Sequence, residues 1–334
     1  MGVHNMSSGD ENDAERAKTP SWGMRRPTPA MGLAIADLGP HTSAGFRQAQ
    51  ARLGEMLGQR YELLSVLGAG SGGSVFRARD SVTRNEVALK LLHEKLKGSE
   101  GARRRFEREV TAASSVHHPN IVRMLDRGLE PDGTPYQVLE LLDGRALEAA
   151  GEDGPLEVAA AVDVTRQLLA ALSAVHLQGY VHRDVKPENI FLTRSPDGHL
   201  QVKLIDFGVA RLLSDPLSAL TTEDDMVLGS PSFMSPEQVS NDHALSPATD
   251  VWQTGAVLFY MLAGRPPFQD PNLSKLLVRV ARDPAPSVTN FRPDCPAAVA
   301  AVVTGALRRN PEHRYPDAHH MSVALHKAAK EARL

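Results

Sequence analysis

Cysteine is almost missing from this chain: Cys295 is the only one in 334 residues. A lone thiol excludes an intrachain disulfide framework and any metal cluster built on several thiolates, and it suits a reducing compartment. An excess of one charge is missing too. With 37 basic against 40 acidic side chains the formal net charge is -3, so no general affinity for nucleic acid or an anionic membrane is expected. Long apolar runs are scarce. The longest candidate, "VWQTGAVLFYMLAG" from Val251, falls short of a bilayer and suits a helix inside a protein. The N-terminus lacks a basic stretch followed by an apolar one, and Met6 stands where acylation of Gly2 would want Ser or Thr. No membrane insertion and a cytoplasmic location are therefore expected. No repeat of fixed period occurs, which excludes a solenoid.

What is present is an ordinary globular balance, 42% hydrophobic and 23% charged, enough to bury a core. Residues 1–55, with "KTPSWGMRRPTPAMG" in the middle, read as a flexible tail. At the end of that tail "FRQAQARLGEMLGQ" carries a short amphipathic pattern with Leu53 and Leu57 on one face. From Tyr61 the texture changes to strand-like runs separated by turns, "YELLSVLGAG", "SVFRARD", "EVALKLLH" and "YQVLELL". Between the third and fourth, Phe106, Val110 and Ala113 recur at helical spacing. After Gly144 the pattern is mostly helical, with Pro155 near the start of a long helix and Gly179 past its end. The expected class is α+β: a small β-rich lobe with one main helix at about 61–142, and a larger helical lobe at about 143–330, within a folded domain spanning 56–330.

Several short stretches carry chemistry. "LGAGSGGSVF" puts Gly68, Gly70 and Gly73 at GxGxxG spacing after an apolar strand, where backbone N–H groups can approach phosphate oxygens without intervening β-carbons. A glycine-rich hairpin turn or a dinucleotide loop would share that spacing, but a dinucleotide loop needs a helix next, and "SVFRARD" resumes a strand. The next strand ends in Lys90. A lysine at a strand end is usually a solvated charge, yet here Ala88 and Lys90 share the face of the glycine loop. A buried ammonium needs a carboxylate, and spacing leaves Glu109 and Glu107 both in play. In "GYVHRDVKPENIFL", Asp184 and Asn189 sit on either side of a turn containing Pro187, and "VKLIDFGVA" ends a strand in Asp206. One carboxamide and one carboxylate suit Mg²⁺, which prefers oxygen ligands. Asp184 is left to accept the proton of an attacking hydroxyl, with Lys186 offsetting charge on a phosphoryl group.

Glycine-rich loop, "VALK", "HRDVKPEN", "DFG" and "SPE" occur in order, supported by "HHPNIV", "DVWQTGAVLFYMLAGRPPF" and "NPEHRYPDA". Together they resemble the eukaryotic-type (Hanks-type) serine/threonine protein kinases, from about Tyr61 to Ala329. The resemblance implies a bilobal kinase fold using ATP with Mg²⁺, or Mn²⁺ as an alternative. Leu67, Gly68, Ala69, Gly70, Ser71, Gly72, Gly73, Ser74 and Val75 would cover the nucleotide. Lys90 would hold phosphates with Glu109 as its partner. Leu139 resembles the residue at the back of the adenine pocket, the backbone of Glu140 and Leu142 would pair with the adenine edge, and Val75, Ala88 and Leu192 would sandwich the ring. Asp206 and Asn189 are similar to the metal ligands and Asp184 to the catalytic aspartate. Glu237 would pair with Arg314, and Asp250 would brace the catalytic loop. Lys186 resembles the serine/threonine class, and "MSPEQ" a bacterial member.

The resemblance also implies protein substrates with Ser or Thr acceptors, and a transient dimer for trans-autophosphorylation. Arg183 resembles the residue that holds a phosphorylated activation segment, for which Thr221 and Thr222 are the expected acceptors. The carboxylates of Glu223, Asp224 and Asp225 form either a solvated turn or a partial substitute for phosphate. Two rival readings are a non-enzymatic binding module, which usually lacks one of Lys90, Asp184 and Asp206, and a small-molecule phosphotransferase, which usually lacks the "SPE" segment.

Overall fold

The computed structural model describes residues 43–70, 73–92, 116–206, 231–240 and 245–334. Expectations for Ser71, Gly72, Glu107, Glu109 and the helix around them, Thr221, Thr222 and the acidic run 223–225 lie outside the described residues.

Six strands build the first sheet: β1 (Met56–Leu57), β2 (Tyr61–Gly70), β3 (Gly73–Asp80), β4 (Glu86–Leu92), β5 (Met124–Leu129) and β6 (Pro135–Glu140). Their order is β1-β2-β3-β4-β6-β5, and every neighbouring pair is antiparallel. Alternation along each strand splits the side chains between two faces. Val87, Leu89 and Leu91 join Phe76, Tyr136 and Val138 in one buried cluster. Ala88 joins Val75 in another, on the opposite face. Gly73, at φ 134, lies so close to β4 that a β-carbon there would collide with the Leu91 carbonyl, so only glycine lets β3 leave the loop at this point.

Helix α1 (Ser43–Gln50) covers the outer cluster with Phe46 and Ala49. The folded part of the chain thus reaches back to Ser43, correcting the expected tail boundary at residue 55. Phe46 and Ala49 are three residues apart and share a helical face, which matches the apolar outer surface of the sheet. The helix ends before Leu53, which is 40% exposed, while Leu57 is fully buried as part of β1.

The larger lobe begins with β7 (Gly144–Ala146), α2 (Leu147–Gly151) and α3 (Val158–Leu177). β8 (Ile190–Arg194) and β9 (Leu200–Leu204) complete a three-stranded sheet in the order β7-β8-β9. Then follow α4 (Pro236–Val239), α5 (Pro247–Ala263), α6 (Leu273–Arg282), α7 (Ala297–Ala306) and α8 (Ala318–Ala332). α3 is long and apolar enough to cross a bilayer, contrary to the expectation that no run is, but Val164, Leu168, Leu169, Leu172 and Val175 are fully buried, as in a core helix. α5 is buried along nearly its whole length. A β-carbon at Gly255 would collide with that of Ala306, so the absence of a side chain there lets α5 and α7 approach.

The segment before β5 fastens the two parts together. Ile121 forms a parallel bridge to Leu204, Val122 N–H donates to the Leu204 carbonyl at 2.9 Å, and Leu204 N–H donates to the Asn120 carbonyl at 2.8 Å. Asn120 Nδ2 also donates to Gln167 on α3 at 2.9 Å and to the Val202 carbonyl at 2.8 Å.

Candidate active site

Register places the first group of site residues. Gly68 pairs with Val75 across β2 and β3, Val75 with Lys90 across β3 and β4, and Ala88 with Leu139 across β4 and β6. Paired residues share a face, so Lys90, Val75, Ala88 and Leu139 look into one side of the sheet. Val75 and Ala88 are buried there with Leu142, Ala146, Phe191 and Ile205, and Leu67 and Leu139 pack at the margin. Ala69 belongs to the outer cluster instead, so only its backbone is available to a phosphate. Gly70 and Ser74 close the loop end of the hairpin, opposite Gly73 and Ala69 respectively.

The floor of this apolar slot differs from expectation by one residue. Phe191, not Leu192, joins Val75 and Ala88. The two are neighbours on β8 and point to opposite faces. Leu192 is 1% exposed and, next to Phe191 on the strand, faces the other side. Glu140 N–H donates to the Arg123 carbonyl at 2.9 Å, so that group is engaged within the protein. Its carboxylate accepts from Lys203 Nζ at 2.6 Å and from Arg123 N–H at 3.0 Å.

The charged groups gather at the mouth of the slot. Lys90 Nζ lies 2.6 Å from Asp206 Oδ2. Lys90 is buried to 6% exposure, and among the described residues Asp206 supplies the carboxylate that its ammonium requires. The expected partner Glu109 lies outside the described residues. Asp206 follows β9, and its φ of 110 is unusual for a residue with a side chain. Ile205 N–H donates to the Asn189 carbonyl at 2.9 Å, which places Asp206 beside the loop bearing Asp184 and Asn189. Asn189 Nδ2 donates to the Asp184 carbonyl at 2.8 Å and to Asp184 Oδ2 at 2.9 Å. Lys186 Nζ is 3.2 Å from the same carboxylate oxygen. With its nitrogen so engaged, Asn189 has its amide oxygen left for a cation, and together with the Asp206 carboxylate it forms the hard oxygen set that suits a small divalent metal.

Asp184 is held by its backbone as well. Asp250 on α5, fully buried, accepts from His182 N–H at Oδ2 and from Arg183 N–H at Oδ1, 2.8 Å each, and His176 Nε2 lies 2.8 Å from the same Oδ2. Those bonds secure Arg183 at φ 68, a left-handed conformation that costs about 1–3 kcal/mol for a residue with a side chain. His182 Nδ1 accepts the Asp184 N–H at 3.3 Å. Burial drives the His182 imidazole below its ordinary value of 6.5, against the opposing pull of Asp250, Asp184 and Asp206. It is neutral, as an acceptor Nδ1 requires.

A second buried network centres on α4. Glu237 in α4 receives Arg314 Nη1 and Nη2 at 2.8 Å each. Arg314 also lies over the Trp252 ring at 4.9 Å, and Trp252 Nε1 donates to the Met234 carbonyl at 2.9 Å. Two glutamines were not singled out from the sequence. Gln238 Nε2 donates to the Arg183 carbonyl at 2.8 Å, and Gln253 Oε1 accepts the Val185 N–H at 2.9 Å. The available signal was position: Gln253 follows Asp250 by three residues on an apolar helix, which places both on one face.

Comparison with known proteins agrees with this architecture. Residues 61–325 match the family described as protein kinase domain. Serine/threonine-protein kinase PrkC of Bacillus subtilis is 34% identical over 283 residues, covering 84% of this chain and 42% of PrkC. Serine/threonine-protein kinase PknD of Mycobacterium tuberculosis is 36% identical over 270 residues, covering 80% of this chain and 39% of PknD. The chain thus spans about two fifths of the length of these curated relatives. The crystal structure of the Mycobacterium tuberculosis PknI kinase domain aligns at 26% identity with a TM-score of 0.65, covering 83% of this chain and 99% of that one.

Proposed function

The chain belongs to the protein kinase family, with bacterial relatives named serine/threonine-protein kinases, and from that premise we propose that it transfers the γ-phosphoryl group of ATP to serine and threonine hydroxyls of proteins. One observation carries the reading: the Asp184 carboxylate is held between Asn189 Nδ2 and Lys186 Nζ, beside the Lys90–Asp206 pair.

Each group has a role. Adenine enters the slot lined by Val75, Ala88, Leu139 and Phe191, with the backbone of Glu140 and Leu142 at its edge. Lys90 neutralises phosphate charge at the inner end. Asp206 and Asn189 hold Mg²⁺, and Mn²⁺ would meet the same oxygen donors. The bound cation would offset charge on the β- and γ-phosphates. Asp184 orients the acceptor hydroxyl and accepts its proton as the oxygen attacks phosphorus and the bond to the β-phosphate oxygen breaks. Lys186 stays beside Asp184 and offsets charge on the phosphoryl group in transit. Glu237, through Arg314, supports the segment on which the acceptor peptide lies.

Regulation follows from the same reading. Arg183 sits next to Asp184, where it can pair with a phosphate on Thr221 or Thr222, supplied by a transient second copy of the chain.

The test is direct. Purified protein with labelled ATP and Mg²⁺ labels itself and a basic protein substrate, whereas Asp184→Asn and Lys90→Met are nearly silent. Equal labelling by both variants would refute the assignment.

A further inference from the structure

Gln253 is 1% exposed and places three side-chain hydrogen bonds on a few groups around Asp184. Its Oε1 accepts the Val185 N–H at 2.9 Å, and its Nε2 donates to the Arg183 carbonyl at 3.1 Å. Those two backbone groups lie on either side of Asp184. One carboxamide therefore grips the chain before and after the acid, as a neighbouring strand would. The second hydrogen on Nε2 goes to Gln238 Oε1 at 3.0 Å. Gln238 in turn donates to the Arg183 carbonyl at 2.8 Å and completes a reciprocal cap with Ser235 at the start of α4. An amide nitrogen has two hydrogens, so both donors of Gln253 are engaged, one on the Arg183 carbonyl and one on Gln238.

Three segments meet in this network: α5, the loop bearing Asp184, and the short helix that carries Glu237. We propose that Gln253 and Gln238 are positioning residues for phosphoryl transfer, which hold the Asp184 carboxylate in register with the segment presenting the acceptor hydroxyl. The inference rests on the kinase reading above. The Arg183 carbonyl belongs to the residue with the left-handed backbone, so its two glutamine donors, together with Asp250 at the N–H, keep the loop in a conformation it would otherwise leave. Neither glutamine bonds a residue that lines the adenine slot. Loss of the network should act on turnover rather than on nucleotide affinity.

The experiment uses the full chain and measures kcat and KM for a protein acceptor, the dissociation constant for ATP with Mg²⁺, and the pH profile. Gln253→Met keeps the shape and removes the bonds: kcat falls about tenfold or more, as misplacement of a reacting group predicts, while ATP affinity is unchanged. Gln253→Glu can accept from Val185 when ionised but has no hydrogen for Arg183 or Gln238, and regains a donor only when protonated. Its activity relative to the parent therefore rises toward acid pH, a trend that a merely structural role would not produce. Gln253→Met with normal ATP binding and full kcat overturns the proposal. If that variant does not bind ATP, a flat relative pH profile for Gln253→Glu together with full kcat for Gln238→Met overturns it equally. An inactive parent refutes the kinase reading instead.

Discussion

Glu237 takes both guanidinium arms of Arg314, at 2.8 Å each, where the Arg314 side chain is fully buried and that of Glu237 nearly so. Burial alone would raise the Glu237 carboxyl, yet the hydrogen bonds and charge of Arg314 outweigh it and hold the group below its ordinary value of 4.5. A depressed carboxyl contributes stability above its unfolded value, and that contribution is lost as pH falls through the lower folded one.

Breaking the pair is therefore costly. Arg314→Met strands a buried carboxylate and should lower unfolding free energy by about 3–5 kcal/mol at neutral pH. Denaturant melts over a pH series check it. With the cation gone, burial pushes the Glu237 carboxyl up against the remaining hydrogen bonds from Thr249 and its own N–H, so the acid loss of stability owed to this pair shrinks, and the deficit relative to the parent narrows as pH falls and the stranded carboxylate is protonated.

His182 makes a separate contribution. Its imidazole is neutral in the folded protein because burial opposes the charge, while the unfolded chain takes up a proton near 6.5. Stability is fully present above that value and declines as pH falls below it. His182→Leu should flatten this part of the stability curve. An unchanged slope would mean that the ring takes up its proton alike in the folded and unfolded chain, against the burial argument.

The faces of β8 can be told apart by nucleotide binding. Phe191→Ala removes part of the slot shared with Val75 and Ala88, and ATP affinity should fall about tenfold, equivalent to ~1.4 kcal/mol. Leu192→Ala should cost about 2–5 kcal/mol of stability while affinity in the folded protein holds. Titration calorimetry distinguishes them, and the reverse pattern would restore the original assignment of Leu192.

Helix α1 is expected to matter for stability but not for catalysis. Phe46 is half-buried on the sheet face away from Lys90, so Phe46→Ala should cost about 1–2 kcal/mol with kcat and KM unchanged. Altered kcat would show that the outer face communicates with the slot.

Much of the site was legible because short motifs mark positions whose chemistry is particular. Lys90, Asp184, Asn189 and Asp206 were named from residue type and order, and the structure brings them together. Phe191 was missed for a physical reason: both it and Leu192 are apolar, and period two says that they face apart without saying which faces the slot. Gln253 and Gln238 were missed because a carboxamide carries no charge and its bonds run to backbone, which leaves no complementary residue type to search for. The Lys90 contact with Asp206 depends on how two distant strands meet, and local pattern says nothing about that. The amphipathic pattern from Phe46 was visible, but it pointed to Leu53 and Leu57 as the packed face, whereas half-buried Phe46 and buried Ala49 make the contact of α1 with the sheet.

The bridge between Ile121 and Leu204 has a mechanical consequence. The β5–β6 hairpin is attached to the large lobe twice, once at residues 120–122 and again where β6 runs on into β7. Two pivots define an axle, and a body hung on an axle swings but does not slide. Breathing of the cleft should then be a rocking of β2, β3 and β4, with amplitude growing toward the glycine hairpin at Gly70 and Gly73, while Leu139 and Leu204 stay almost still.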